Sequence, residues 1–533
     1  MQITAVTPPI HNKLVEDYWT AGSAIEPFFE YTYTEQSYKA RLAYLQTQQY
    51  EHEQLAKVMR EAMSEYSLSA LTEKHLQQLA QGAYTVVGGQ QPGVFTGPLY
   101  AVHKAITVIQ LARQQSEALG VPVVPVFWIA GEDHDIEEIN HTFTATEQGI
   151  HKRKYKDRFL EKTMASTTEV TEEKLTQLIN MVVKDYGEQA YTKTVVAQLR
   201  EAAQVSTTFT QFFSYLLHTL FNDAGLLWID AANPKLRQME SAYFMRLIEA
   251  APEIAQQVTA QEQRLNEAGY GTPIYADQQA ANLFYVKDGA RHLLTRQADH
   301  FVAGEYTFTK AQLLALAQQH PQQLSNNVVT RPLMQEMVLP VLAFVGGPGE
   351  LAYWATLKPA FTALDLQMPI FAPRLHITLV TTQTQKQLQH LALTVEQVFA
   401  GKHLRDKEAF IASVQATDAL AIVTKAQQQL EAQYQQLVQR SAPSLTSIIQ
   451  KNQQLHERQF AYLIRKIEQD VLQKHQTTLI KYDAIERELL PMGGLQERIY
   501  NPYQYIAQCG SAWITQLWQS NLPLTYQHYV VSL

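Results

Sequence analysis

Tyr84-Thr85-Val86-Val87-Gly88-Gly89-Gln90-Gln91-Pro92-Gly93-Val94-Phe95-Thr96-Gly97-Pro98-Leu99 reads as a strand, a glycine loop and the opening of a helix. Four residues at home in a strand run into two glycines. Gly97-Pro98 marks a helix start, because proline fits the first turn, where an N–H has no intrahelical partner. Leu99, Val102, Ile106 and Ile109 then recur at helical spacing to about residue 114. The next apolar run, Val126-Phe127-Trp128-Ile129-Ala130, is nearly free of polar residues, as parallel strands covered on both faces are. It ends in Gly131-Glu132-Asp133-His134-Asp135. Strand, loop, helix and strand form a βαβ unit and predict an α/β fold with a parallel sheet.

Two more runs have the character of strands in that sheet. Leu226-Leu227-Trp228-Ile229-Asp230 follows a helical stretch, and Val341-Leu342-Ala343-Phe344-Val345 runs into Gly346-Gly347-Pro348-Gly349-Glu350, with a helix expected from Glu350. Insertions near 142–220 and 270–320 separate them. Residues 142–165 resemble a charged hairpin, and 282–287 with 291–295 resemble another around Asp288-Gly289. Residues 38–49 and 71–81 read as helices.

After about residue 379 the chain turns polar, rich in Gln, Lys and Glu, with almost no glycine or proline. Leu420, Val423, Leu430, Tyr434 and Leu437 follow an a/d spacing with Gln427 at the missing place. Phe460, Ile464, Ile467 and Val471 follow it again, and Pro443 breaks the run between them. Two long helices, folded back or paired with a second chain, make a coiled coil; an ordinary helical bundle is the other reading. The expected division is a catalytic core over 1–380, a coiled-coil domain over 381–490 and a segment, 491–533, that returns to the core.

At 533 residues the chain is too long for one hydrophobic core. A hydrophobic share of 46% fits a globular protein rather than a disordered one. The N-terminus lacks the basic-then-apolar pattern of a signal peptide, and nothing approaches the roughly 18 uninterrupted apolar residues of a membrane span. The single cysteine, Cys509, excludes an internal disulfide and an all-cysteine zinc site. These features predict a cytoplasmic protein without a membrane partner. The net charge of −8 argues against a general nucleic-acid binder.

Three loops are candidates for chemistry. In the first, Gly88, Gly89, Gln90, Gln91, Gly93, Thr96 and Gly97 precede a helix, where backbone N–H groups and the helix dipole favour an anion. Lys104 would add charge if it faced the loop, and His103 lies about one and a half turns into the helix. A tight turn with His103 merely packed is the plainer reading. Neither the dinucleotide nor the P-loop spacing is present. In the second loop, Glu132, Asp133, His134 and Asp135 stand at a strand's carboxyl end, where open α/β sheets bind ligands. Burying that charge requires a metal, a substrate amine or an arginine; a solvated acidic loop through Glu137 and Glu138 is the alternative. The histidine spacing fits no standard metal site, so no metal is expected. The third loop is Gly346, Gly347, Pro348, Gly349 and Glu350. Arg331 is a candidate clamp for a carboxylate or phosphate, or else an ion-pair partner of Glu336 or Glu350. Asp230 ends its strand much as Asp133 follows its own, and Arg374 is either a further clamp or a surface charge.

Gly-Gln-Gln-Pro-Gly with Thr-Gly-Pro-Leu-Tyr, Gly-Glu-Asp-His-Asp and Gly-Gly-Pro-Gly-Glu, with the runs 86–104, 125–140, 225–237, 326–358 and 493–498, resemble the bacillithiol biosynthesis cysteine-adding enzymes, the BshC family. The resemblance spans nearly the whole chain. It implies a Rossmann-like core with connecting insertions, a coiled-coil domain that contributes to a homodimer, and a ligase joining cysteine, through its carboxylate, to the amine of glucosaminyl-malate. That would be the last step in making bacillithiol. The core is also similar to class I aminoacyl-tRNA synthetases, although neither of their signatures is intact. Amide formation in water requires an activated acyl group, and ATP is the expected activator. Asp133 or His134 would then act as base or hold the cysteine ammonium. His103 and the 88–97 loop would line the anionic part, and Arg331 would grip a carboxylate. A nucleotidyl transferase acting on a small molecule and a non-enzymatic coiled-coil assembly protein are the alternative functions.

Overall fold

A computed structural model of the protein describes residues 1–9, 12–20, 24–159 and 161–533. It divides into two units, Met1–Leu379 with Gly494–Leu533, and Val380–Gly493. The first is built on β1 (Tyr84–Gln90), β2 (Val123–Ile129), β3 (Leu227–Asp230), β4 (Val341–Gly346) and β5 (Ile370–Pro373). These strands are all parallel, in the order β5-β4-β1-β2-β3. That is the Rossmann order. The chain moves outward from β1 through β2 to β3, then crosses back to add β4 and β5 on the other side. The reversal between β1 and β4 is the place where such sheets open a crevice for ligands.

Successive side chains of these strands enter two separate apolar layers. Val86, Phe127 and Val345 belong to one, and Val87, Trp128 and Phe344 to the other. Both faces are therefore covered, which explains strands without polar alternation. The helix α1 (Leu99–Leu119) links β1 to β2, with Pro98 as its N-cap and Gly120, in the left-handed region, closing its C-terminus. Two shorter helices, α2 (Thr330–Val338) and α3 (Pro348–Trp354), flank β4.

The first strand ends later than its sequence suggests. β1 continues through Gly88 and Gly89 to Gln90. A Cβ on Gly88 would lie 2.7 Å from Val108 Cγ2, and one on Gly89 only 2.5 Å from the Trp128 carbonyl oxygen. Close approach inside the sheet, rather than a turn, requires these two glycines. β5 escapes pattern reading because it is four residues long, bounded by Pro369 and closed by Pro373.

The insertions are more regular than expected. The hairpin covers only His141–Thr146 and Gly149–Lys154, short of the 142–165 span, inside which residue 160 lies outside the described residues. Ala280–Lys287 and Ala290–Gln297 pair as foreseen, within a five-stranded antiparallel sheet. A further, three-stranded sheet joins the two ends of the chain. Gln2–Val6 pairs with His528–Ser532, which lies beside His376–Val380.

The second unit is helical. Its two longest helices are α4 (Thr417–Arg440) and α5 (Thr446–Lys474), separated by a short turn at Pro443–Leu445. Tyr434 donates to Asn452 Oδ1, so the two helices fold back on one another. Val423 is buried between elements, but Leu437, expected in the same stripe, is 48% exposed. The a/d pattern on α4 therefore runs out before its end. Lys407 pairs with Asp483, and Glu488 accepts from Thr381 and Thr384, within the same unit. Among the described residues no single helix is long and apolar enough to cross a membrane.

Candidate active site

A cleft of about 370 Å³ opens at the carboxyl ends of β1, β2 and β4, at the reversal of strand order. Lys104, on the second turn of α1, forms its floor with a side chain only 1% exposed. Its Nζ donates to the Gly89 carbonyl at 2.6 Å, to Gln90 Oε1 at 3.2 Å and to Glu350 Oε2 at 2.7 Å. Gly88 makes room for it, since a Cβ there would meet Lys104 Cγ at 3.1 Å. Burial lowers the Lys104 pKa, and Glu350 opposes that shift. Glu350 also accepts the Gly347 N–H at 2.8 Å, which fixes the loop at the start of α3.

Arg331, on α2, lines the opposite wall. Its guanidinium lies 5.1 Å from the Phe344 ring centroid and donates to Tyr353 Oη at 3.2 Å. The two carboxylates considered as its partners are engaged elsewhere. Glu336 forms a fully buried pair with Arg41, and Glu350 holds Lys104. Among the described residues Arg331 makes no ion pair. Asp133 supplies the acidic side of the cleft. Its Oδ2 accepts from Gln91 Nε2 at 2.6 Å, its Oδ1 accepts the His134 N–H at 2.7 Å, and it remains 32% exposed. Gly89, Gln90, Gln91, Gly347 and Gly349 complete the part of the lining that the sequence picked out.

Other candidates lie outside the cleft. His103 is fully buried and its Nδ1 meets Glu497 Oε2 at 3.2 Å; burial lowers its pKa. It is a packed group of α1 and does not line the cleft. Glu132 is no ligand either. It is buried, pairs with Arg237, and accepts from Ser325 Oγ at 2.8 Å and the Asn326 N–H at 3.0 Å. His134 turns away from the cleft. Its Nδ1 accepts from Arg291 Nη1 at 3.0 Å, and burial, then Arg291, lower its pKa. Asp135 is exposed at the start of a four-residue helix. Asp230 accepts from Ser166 Oγ at 2.6 Å and from the Ala232 N–H at 2.9 Å, and burial raises its pKa to about 6. Gly346 is a packing glycine: a Cβ there would come within 2.5 Å of Phe371.

Part of the expected anion loop spends its N–H groups on backbone carbonyls. Gly93 donates to the Gln91 carbonyl at 2.9 Å, Gly97 to Val94 at 2.9 Å, and Leu99 to Tyr500 at 2.7 Å. Thr96 is buried in the left-handed region, and its hydroxyl donates to its neighbour's carbonyl. The segment is a tight turn that delivers α1 to the sheet, and its Gly93 and Gly97 line a second cleft beside the main one.

The sequence gives little or no signal for Lys104, Tyr100, Trp128, Tyr353, Arg374 and Arg498, which also line the cleft. Tyr100 and Lys104 are four residues apart on a helix, which puts them on one face, and that spacing could have found them. Arg374 is not a free clamp. It holds Glu497 through two bonds, of 2.9 and 2.7 Å. Burial would raise the Glu497 pKa, but Arg374 and His376 outweigh it and hold the carboxyl well below its ordinary value. Arg498, next in the chain, is exposed and carries no such bond among the described residues. It lines the main cleft, a second of about 260 Å³ and a third of about 280 Å³. Among the described residues no group of three or more His, Cys, Asp or Glu side chains is placed to hold a metal ion.

Residues 1–375 match the family described as bacillithiol biosynthesis BshC, N-terminal Rossmann-like domain, and residues 377–533 match its C-terminal coiled-coil domain. The chain belongs to the BshC family. A BshC protein from Lysinibacillus sphaericus, named "Putative cysteine ligase BshC", is 48% identical, with 100% of both chains covered. Relatives of the same name from Geobacillus kaustophilus and Bacillus cytotoxicus are 37% and 35% identical, again over 100% of each chain. Likeness to a Campylobacter jejuni structure solved under the name of an arginyl-tRNA synthetase is slight. At 11% identity and a TM-score of 0.22, over 86% of this chain and 100% of that one, it carries no argument about nucleotide use.

Proposed function

We propose that this protein joins the carboxyl group of cysteine to the amine of glucosaminyl-malate, forming bacillithiol. The observation that carries the reading is the cleft at the sheet's reversal point, where Lys104 and Arg331, which makes no ion pair among the described residues, line one cavity with the carboxylate of Asp133. Cysteine brings a carboxylate and an ammonium, and glucosaminyl-malate brings an amine and two carboxylates. A site with both signs of charge suits such substrates.

The buried Lys104 and the planar guanidinium of Arg331 also fit a polyphosphate. ATP, when bound, would supply the activation that makes the carboxyl carbon electrophilic. The chain's own residues do the rest. Arg331 orients a carboxylate or phosphate group by its two-pronged donor. Asp133, held by Gln91, receives the proton that the attacking nitrogen must lose as the C–N bond forms and the carboxyl oxygen leaves. His134 supports this arrangement from behind, through Arg291, rather than by touching substrate. Self-association through the α4–α5 hairpin and a cytoplasmic setting complete the reading. The test is incubation of the pure protein with cysteine, glucosaminyl-malate and ATP, followed by mass spectrometry. Bacillithiol is expected, with loss when any of the three is withheld. Absence of product from folded protein would overturn the reading.

A further inference from the structure

We infer that the second cleft, of about 260 Å³, is the subsite for the amino-sugar substrate, with Arg498 as its carboxylate clamp. This rests on the ligase reading above. A ligase must hold two organic substrates with their reacting groups in contact, so the two subsites must share a wall. Gln91, Tyr100 and Arg498 line both the main cleft and the second cleft.

The dividing wall suits a molecule that reaches across it. Gln91 Nε2 bridges Asp133 Oδ2 at 2.6 Å and Glu138 Oε2 at 3.0 Å, one carboxylate from each cleft. An amine bound between them would sit at the edge of the main cleft, beside the group that is to take its proton. Tyr100 and Phe143 give the second cleft aromatic walls, against which the apolar face of a sugar ring packs. The substituent on such a ring carries two carboxylates. Arg498 is the cation of that cleft that no described carboxylate engages, while its neighbour Glu497 is locked to Arg374. The locked neighbour anchors the backbone and leaves the Arg498 guanidinium free for a ligand. The third cleft, with His376 and Tyr526, shares Pro348, Arg374 and Arg498 with the main one, and its carboxylate, Glu497, is already locked to Arg374.

The experiment measures KM for each substrate, and direct calorimetric binding of glucosaminyl-malate without cysteine or ATP, for the wild type, Arg498→Ala and Arg498→Lys. Losing a charge-assisted hydrogen bond should weaken glucosaminyl-malate binding about 10- to 100-fold in Arg498→Ala. Arg498→Lys should recover part of it, and the KM values for cysteine and ATP should stay put. Glucosamine without malate should bind the wild type and Arg498→Ala alike. Melting curves identify any variant that fails to fold, and the lysine variant then decides. Wild-type protein that turns over while Arg498→Ala changes only the cysteine or ATP KM overturns the subsite and leaves the reaction standing. Wild-type protein that binds glucosaminyl-malate through Arg498 but forms no product overturns the reaction and leaves the subsite. Wild-type protein that neither binds glucosaminyl-malate nor forms product overturns both.

Discussion

Replacing Glu132 with glutamine and Asp133 with asparagine removes one negative charge in each case, from neighbouring residues in unlike surroundings. Glu132 is buried against Arg237, which also serves Glu240 at 2.6 Å. Arg237 keeps Glu240, but Glu132→Gln gives up a buried charge-assisted bond to it and should cost about 2 kcal/mol of stability. Asp133→Asn should leave the melting temperature nearly unchanged and lower kcat about 10²- to 10⁴-fold. Melting curves beside turnover measurements separate the two, and equal losses of stability would return Asp133 to a structural role. Asp230 makes a pH prediction. Burial raises its pKa from 3.8 to about 6, so between those values the folded protein holds a proton that the unfolded chain has lost. Its contribution to stability is present below the lower value and disappears as pH rises through the upper one. The melting temperature of the wild type should therefore fall relative to that of Asp230→Asn from about pH 4 to pH 7. A constant difference between the two across that range would contradict the assignment.

At the scale of elements, α5 presents a stripe the hairpin leaves uncovered. Ile448, Leu455 and Tyr462 recur every seven residues and are 64%, 52% and 52% exposed. A heptad-spaced apolar stripe is what a further helix packs against. The same helix of a second copy is the occupant we propose. Ile448→Asp with Leu455→Asp should then convert a dimer to a monomer in sedimentation, because both charges would be buried in the seam. A native monomer, or a dimer indifferent to both changes, would refute it. The stripe first read on α4 is the weaker choice: Leu430 is half-buried within the unit, and only Leu437 stays out.

Across the whole molecule, the C-terminal segment completes the first unit. His528–Ser532 supplies the middle strand of the terminal sheet. Glu497 gathers Arg374, His103 and His376, and Gln110 on α1 donates to the Leu517 carbonyl at 2.5 Å. A chain ending at Gly493 would leave the Arg374 charge buried without its partner and two edge strands unpaired. Such a truncation should lose cooperative melting by circular dichroism. A cooperative transition at the wild-type temperature would show the segment to be dispensable.

Periodicity and punctuation carried much of this protein. Apolar runs without alternation marked β1, β2 and β4, glycine with proline marked the start of α1, and heptads marked the helical section, because burial on both faces or along one stripe dictates residue type locally. The acidic loop was found, but its division of labour was not. Glu132 meets Arg237 across 105 residues and His134 meets Arg291 across 157, so the local sequence holds no trace of either partner. Lys104 and Glu350, 246 residues apart, meet because the sheet lays β4 beside β1. Strand order is set by which apolar faces cover one another, a property of the packed molecule. It decided which charges face the cleft and which are spent holding it in place.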